Sequence, residues 1–171
     1  MRKAKSDPQT DVSRAINALR RMVRGLRASA ESSERDLRVS AAQLFVLSEL
    51  SQLPDQSVKD LAARTMTTHS TVSEVVSQLI AKGLVARTAD ASDGRRALLR
   101  VTRQGGMLLK KSPRAIQEDL IEGFETLSPS VRRAVASGLE KWLQASGLGD
   151  VPATMLFEKP ATRKATSRAG K

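Results

Sequence analysis

The chain has 171 residues, 40% hydrophobic and 27% charged, which suits one globular unit with a real core and excludes collagen-like or wholly disordered chains. Its 29 Lys and Arg outnumber 18 Asp and Glu, and the formal charge of +11 points to a polyanionic partner such as nucleic acid or an anionic membrane surface. With no cysteine and a single histidine, His69, it has no disulfide, no thiolate nucleophile and no His-rich metal cluster within one chain, and no cofactor is expected.

No apolar run approaches the roughly 20 residues of a membrane span, and the opening "MRKAKSDPQTDVSRA" lacks the apolar stretch of a signal peptide. A cytoplasmic protein with no membrane partner is therefore expected. The charge gathers at the ends: residues 1–39 carry ten Lys and Arg against five Asp and Glu, and 150–171 carry five against two. Within the middle, 84–104 holds five arginines against Asp90 and Asp93.

Residues 1–10 read as a flexible basic arm. From Val12 onward, Val12, Ile16, Leu19, Met22, Val23 and Leu26 follow helical spacing, with Arg20, Arg21, Arg24 and Arg27 on other faces. Those arginines read first as a solvated face, with polyanion contact as the alternative. Ser40 and Gln43 have the spacing of a capping box and open a helix with Leu44, Phe45, Leu47 and Leu50 inward, ended by Pro54. Ser57 caps a third helix that buries Val58, Leu61 and Ala62. Thr68 caps a fourth, whose apolar stripe of Val72, Val75, Val76, Leu79 and Ile80 runs up to Gly83 as the C-cap glycine.

The period then changes. "LVART" and "RALLRV" are β-prone runs separated by the turn chemistry of "ADASDGR", which predicts a β-hairpin with a long loop. Thr102 starts a helical pattern through Met107, Leu108, Ile116, Leu120 and Phe124, with Pro113 expected to kink it near its middle. Ser128 and Pro129 mark the start of a last helix with Val131, Val135, Leu139, Trp142 and Leu143 on one face, closed by Gly147 and Gly149. The Ala-, Thr-, Lys- and Arg-rich remainder is expected to be disordered.

Helix, helix, helix, hairpin is the order of a winged helix-turn-helix. "LRVSAAQLFVLSELSQLPDQSVKDLAARTMTTHSTVSEVVSQLIAKGLVARTADASDGRRALLRVTRQGGMLL", residues 37–109, resembles the core of the MarR family of bacterial transcriptional regulators. The resemblance rests on the Gln-containing helix opening, "VKDLAAR", "STVSEVVSQLIAKGLV", the "SDGRR" wing and "VTRQG". The expected fold is mainly α, with a winged helix-turn-helix DNA-binding core at 37–102, a two-stranded β wing, a helical dimerisation layer at 11–36 and 103–148, and a basic tail at 149–171. The resemblance implies a homodimer that binds a pseudo-palindromic operator on double-stranded DNA, usually as a repressor. It also implies release by a small aromatic or anionic effector bound between the two layers.

In a helix-turn-helix the second helix of the motif, here about 68–82, enters the major groove. Its apolar stripe must face the bundle, which leaves Thr68, Ser70, Thr71, Ser73, Glu74, Ser77 and Gln78 for solvent or DNA, with Gln78 in reach of an adenine. Arg95 at the hairpin tip can enter a narrow minor groove while Asp93 braces it, and Arg96 starts the return strand and touches backbone. The family's wing pattern of Asp, any residue, Arg falls on Asp93, Gly94 and Arg95, and the resemblance implies those roles for Asp93 and Arg95. Many relatives carry Arg where this chain has Glu74 and another basic residue at Gln78, so its reading helix is less cationic. His69 reads as an incidental surface residue, and no metal is expected there.

Two other readings stay open on sequence alone. An architectural DNA binder without an effector accords with the basic ends and the weakly charged reading helix. Catalysis is disfavoured by the absence of Cys, the single His and the lack of a phosphate-binding glycine motif.

Overall fold

The computed structural model describes residues 8–89, 97–153 and 155. The first helix, α1 (Pro8–Ser32), begins ahead of Val12 and runs for 25 residues. It passes into a π-helical turn over Ser33–Leu37 and stops where Arg38 adopts a left-handed φ of 57°. Neither the π turn nor its left-handed end has a signature in the hydrophobic spacing.

Next comes α2 (Ala41–Gln52), opened by a capping box: the Ser40 hydroxyl accepts from the Gln43 N–H, and the Gln43 side chain accepts from the Ser40 N–H. Leu44, Phe45, Leu47 and Leu50 turn inward as the spacing predicts, and Ala42, Gln43 and Val46 are buried too. A helix buried on all sides needs neighbours on all sides. Here α3 (Val58–Arg64), α4 (His69–Ala81), the second strand of the hairpin and α5 (Arg103–Lys111) all pack against it. An exposed-edge ion pair, Arg64 to Glu49 at 2.6 Å, adds a polar tie between α3 and α2.

The caps that the sequence marks are formed. Ser57 and Asp60 make a second capping box, Thr68 accepts from the Thr71 N–H, and Gly83 follows α4 with a φ of 69° that only glycine takes without strain. The wing consists of β1 (Val85–Ala89) and β2 (Ala97–Val101), antiparallel, with Val85 opposite Val101 and Ala89 opposite Ala97. Leu99 is fully buried, and its backbone exchanges hydrogen bonds with the linker after α2: it donates to Gln56 O at 2.8 Å and accepts from Asp55 N at 3.0 Å. The wing root is thereby sewn to the α2–α3 linker as well as to its own partner strand.

The expected single kinked helix around Pro113 is instead two helices, α5 and α6 (Ile116–Glu125), separated by residues 112–115. Proline forces the preceding residue out of the α region, and Ser112 is extended with ψ 143°. Ala115 is extended as well, so the break spans the whole linker. The last helix, α7 (Pro129–Ala145), has Ser128 as its cap and Pro129 in its first turn as expected, and buries no residue. The expected disordered tail begins differently: Met155 is 4% exposed and belongs to the core, because its apolar thioether side chain is taken up by the hydrophobic cluster. The expected arm at 1–10 is shortened by α1, which already starts at Pro8, and residues 1–7, 154 and 156–171 lie outside the described residues.

Helix α5 meets the wing root at Gly105. A Cβ there would overlap the Leu84 carbonyl oxygen and sit 2.9 Å from Val101 Cγ1. The Thr102 hydroxyl, which caps α5, also donates to Gly83 O at 2.7 Å. Gly105→Ala should therefore destabilise the fold by about 1–3 kcal/mol through overpacking, read as a lower midpoint of chemical denaturation. An unchanged midpoint would show that α5 is not seated against the wing root.

Candidate nucleic-acid interface

The turn before α4 is set by residues that the apolar spacing does not explain. Thr65 is buried with its hydroxyl donating to Leu61 O at 2.8 Å, and Met66 is left-handed with φ 52°, which turns the chain sharply enough to cross α4 over α3. The Thr68 oxygen then sits 3.0 Å from both Ser70 Oγ and Thr71 Oγ1 and accepts from the Thr71 N–H, closing the first turn.

Val72, Val75, Val76 and Leu79 are buried against the bundle, which fixes the rotation of α4 about its axis. Thr68, Ser70 and Ser77 are exposed, and Ser73, Glu74 and Gln78 are partly exposed. Thr71 departs from the expected outward set: it is 9% exposed, and its hydroxyl accepts from Thr68. Position 71 lies beside Val75 on the helical wheel, so the rotation that buries the valines carries Thr71 inward. Ile80, expected in the apolar stripe, is 36% exposed for the same reason. Ser77 donates back to Ser73 O at 2.7 Å, which holds its hydroxyl against the helix.

An open cleft of about 580 Å³ separates α4 from the start of α3 and the wing. Lys59, His69, Ser73, Ser77 and Arg87 line it. Lys59 and Arg87 have no place in the predicted site, because they come from different elements, and only the crossing of α3, α4 and β1 puts them at one cleft. The other flank of α4 carries a polar clasp. Lys82 Nζ donates to Arg38 O at 2.6 Å and to Gln43 Oε1 at 2.7 Å, and Gln43 Nε2 donates to Gln78 Oε1 at 2.6 Å.

The wing is braced at its base by Arg100, which donates from Nε to Asp55 Oδ1 at 3.0 Å and from its terminal nitrogen to Asp55 Oδ2 at 2.5 Å. The hydrogen-bonded carboxylate of Asp55 raises the Arg100 guanidinium above its ordinary value. Asp55 can make this two-pronged contact because it is left-handed, at φ 61°, directly after Pro54. Asp93, Arg95 and Arg96 fall in residues 90–96, outside the described residues. The β1–β2 register sets the ends of that connection at Ala89 and Ala97.

A sequence profile of the MarR family matches residues 39–96, the span from α2 to the wing. An uncharacterized HTH-type transcriptional regulator of Mycobacterium leprae (strain TN) is 32% identical over 115 residues, covering 67% of this chain and 78% of that protein. The chain belongs to the MarR family of transcriptional regulators. Among solved structures of the fold, Bordetella bronchiseptica BpsR, studied for regulation of its DNA binding by 6-hydroxynicotinic acid, is 27% identical with a TM-score of 0.51, over 75% of this chain and 98% of that one. FabT of Streptococcus pneumoniae, solved in complex with DNA, shares the fold at 17% identity and a TM-score of 0.53, over 81% of this chain and 97% of that one. This MarR family protein is thus a DNA-binding transcription regulator with a winged helix-turn-helix, and among the described residues no helix is long and apolar enough to cross a membrane.

The local design of α4 yields a stability prediction. Thr68→Ala removes the oxygen that satisfies the Thr71 N–H and should cost about 1 kcal/mol, whereas Thr68→Ser should keep most of it. Urea denaturation of both variants checks this, and equal loss in the two would assign the effect to the Thr68 methyl group instead.

Proposed function

We propose that this regulator acts as a homodimeric, ligand-responsive repressor of a pseudo-palindromic operator. The observation that carries the proposal is the apolar face left uncovered on the terminal helices. Val131, Val135, Leu139, Trp142 and Leu143 of α7 are 37–48% exposed, and Leu19 and Met22 of α1 are each 40% exposed. Exposed apolar stripes of this kind call for a partner, and a second copy related by a two-fold axis supplies the same stripes in return. In this reading residues 11–36 and 103–148 form the dimerisation region and 37–102 the DNA-binding unit. Two α4 helices then address successive major grooves about 34 Å apart.

Within each half-site, Thr68, Ser70, Ser73, Glu74 and Gln78 face the groove, Asp93 braces Arg95 in the flanking minor groove, and Arg96 meets the backbone. Thr71 drops out of the contact set, since its hydroxyl is held inside the helix turn. The effector reading draws on BpsR, whose DNA binding is regulated by 6-hydroxynicotinic acid. A small aromatic acid of that kind would have to prefer one dimer geometry over the other, because equal binding to both shifts nothing. With no cysteine in the chain, mild peroxide should leave DNA affinity unchanged.

Two variants test this. Leu139→Asp should sediment as a monomer at micromolar concentration and lose operator binding. A variant that remains dimeric would move the interface away from α7. Arg95→Ala should weaken operator binding by about 1–3 kcal/mol without altering the dimer, and an unchanged affinity in an electrophoretic shift titration would remove the wing from the contact set. Similar affinity for operator and random DNA would favour an architectural DNA binder instead.

A further inference from the structure

The clasp on the flank of α4 fixes which edge of an amide meets the DNA. Gln43 is 5% exposed, and its Oε1 lies 2.7 Å from Lys82 Nζ and 3.2 Å from the Ser40 N–H. An ammonium and a backbone N–H can only donate, so the Gln43 atom facing both must be the oxygen. Its NH2 is thereby turned towards Gln78 at 2.6 Å, and Gln78 must answer with its own oxygen. The polarity set by Lys82 and Ser40 thus passes through two amides in series. What remains is Gln78 Nε2, which has no partner among the described residues and is not among their buried unpartnered polar atoms.

From this the geometry points to Gln78 as a donor-only reader of the major groove, with Gln43 as the positioning residue that decides its polarity. The inference rests on the reading of α4 as the helix that enters the groove. An unconstrained glutamine pairs with adenine by donating to N7 and accepting from the N6 amino group. Here the oxygen is engaged with Gln43, and an outward NH2 meets acceptors: guanine, which offers both N7 and O6, then thymine O4. Cytosine presents only its donor N4 amino group, and adenine a single acceptor, N7, beside its donor N6 amino group. Adenine, the natural partner of a free glutamine, keeps only one of its two bonds to the amide and therefore ranks below guanine at this position.

Gln43→Glu inverts the device with little change of shape. A glutamate at this position keeps the capping box with Ser40, and its carboxylate accepts from Lys82 and Ser40 on one oxygen. The other oxygen can only accept, so Gln78 must turn its NH2 inward and present its oxygen to the groove. The contacted base should then change from guanine or thymine to adenine or cytosine, although residue 43 touches no DNA.

The experiment is selection from a randomised duplex library with the full-length protein, Gln78→Ala, Gln43→Glu and Gln43→Met, with thermal melts and affinity for random DNA measured in parallel. Gln78→Ala locates the position, as the one where base preference is lost. Wild type should favour guanine over adenine there by about fivefold or more, Gln43→Glu should reverse that order, and Gln43→Met, which frees the Gln78 amide to turn either way, should level it. Gln43→Met decides the matter if the glutamate variant fails to fold. A wild type that prefers adenine at that position, a Gln43→Met variant with the wild-type preference, or a Gln78→Ala variant with no altered position overturns the inference while leaving the regulator reading intact. A wild type that enriches no sequence overturns both.

Discussion

Burial of α2 on every side fixes where the remaining elements can go. Phe45, Leu44, Leu47 and Leu50 are at most 1% exposed, so α3, α4, α5 and β2 each have to bring an apolar surface to a different side of the same helix. Helix α4 meets this demand with Val72, Val75, Val76 and Leu79, and once those four are seated its rotation is no longer free. The polar face that remains is a consequence of packing. On the proposed reading that face meets the DNA duplex, and core packing sets it from behind.

The wing obeys the same constraint from a different direction. Leu99 is fully buried beneath β2, and the linker after α2 hydrogen-bonds to its backbone on the far side. The Asp55–Arg100 ion pair then holds the base of the hairpin from outside. Exposed ion pairs contribute little to stability as a rule, so the value of this one lies in aiming the hairpin. Gly105 and Thr102 complete the root by letting α5 approach the Leu84 carbonyl, which couples the angle of the wing to the first helix beyond it. Any shift of α5 is therefore felt at the wing.

The features legible in the sequence are those encoded locally. Ser40, Ser57, Thr68, Thr102 and Ser128 all cap helices in the structure, because a cap depends on a side chain and an N–H within three residues. Helical spacing also found the buried face of α4, apart from Ile80. Contacts between distant residues escaped: Gln43 with Gln78, and Asp55 with Arg100, are separated by 35 and 45 positions, and no local pattern announces either. Thr71 differs because a hydroxyl next to a cap resembles polar surface, whereas its angle on the helix, beside Val75, belongs to the buried side. The helical pattern runs on past Pro113, yet the extended residues Ser112 and Ala115 on either side of it end one helix and begin another.

On the proposed reading, the face of α4 left over by core packing is the face that enters the major groove. Because the chain has no cysteine, a single thiol can be placed at will and charged with an iron chelate that cleaves nearby DNA. The direct measurement is cleavage of the selected duplex by Ser73→Cys carrying the chelate, compared with the same label on Met107→Cys, an exposed position of α5. Two cleavage patches about one helical turn apart are expected from the α4 label and none from the α5 label. Cleavage from Met107→Cys with none from Ser73→Cys would contradict it.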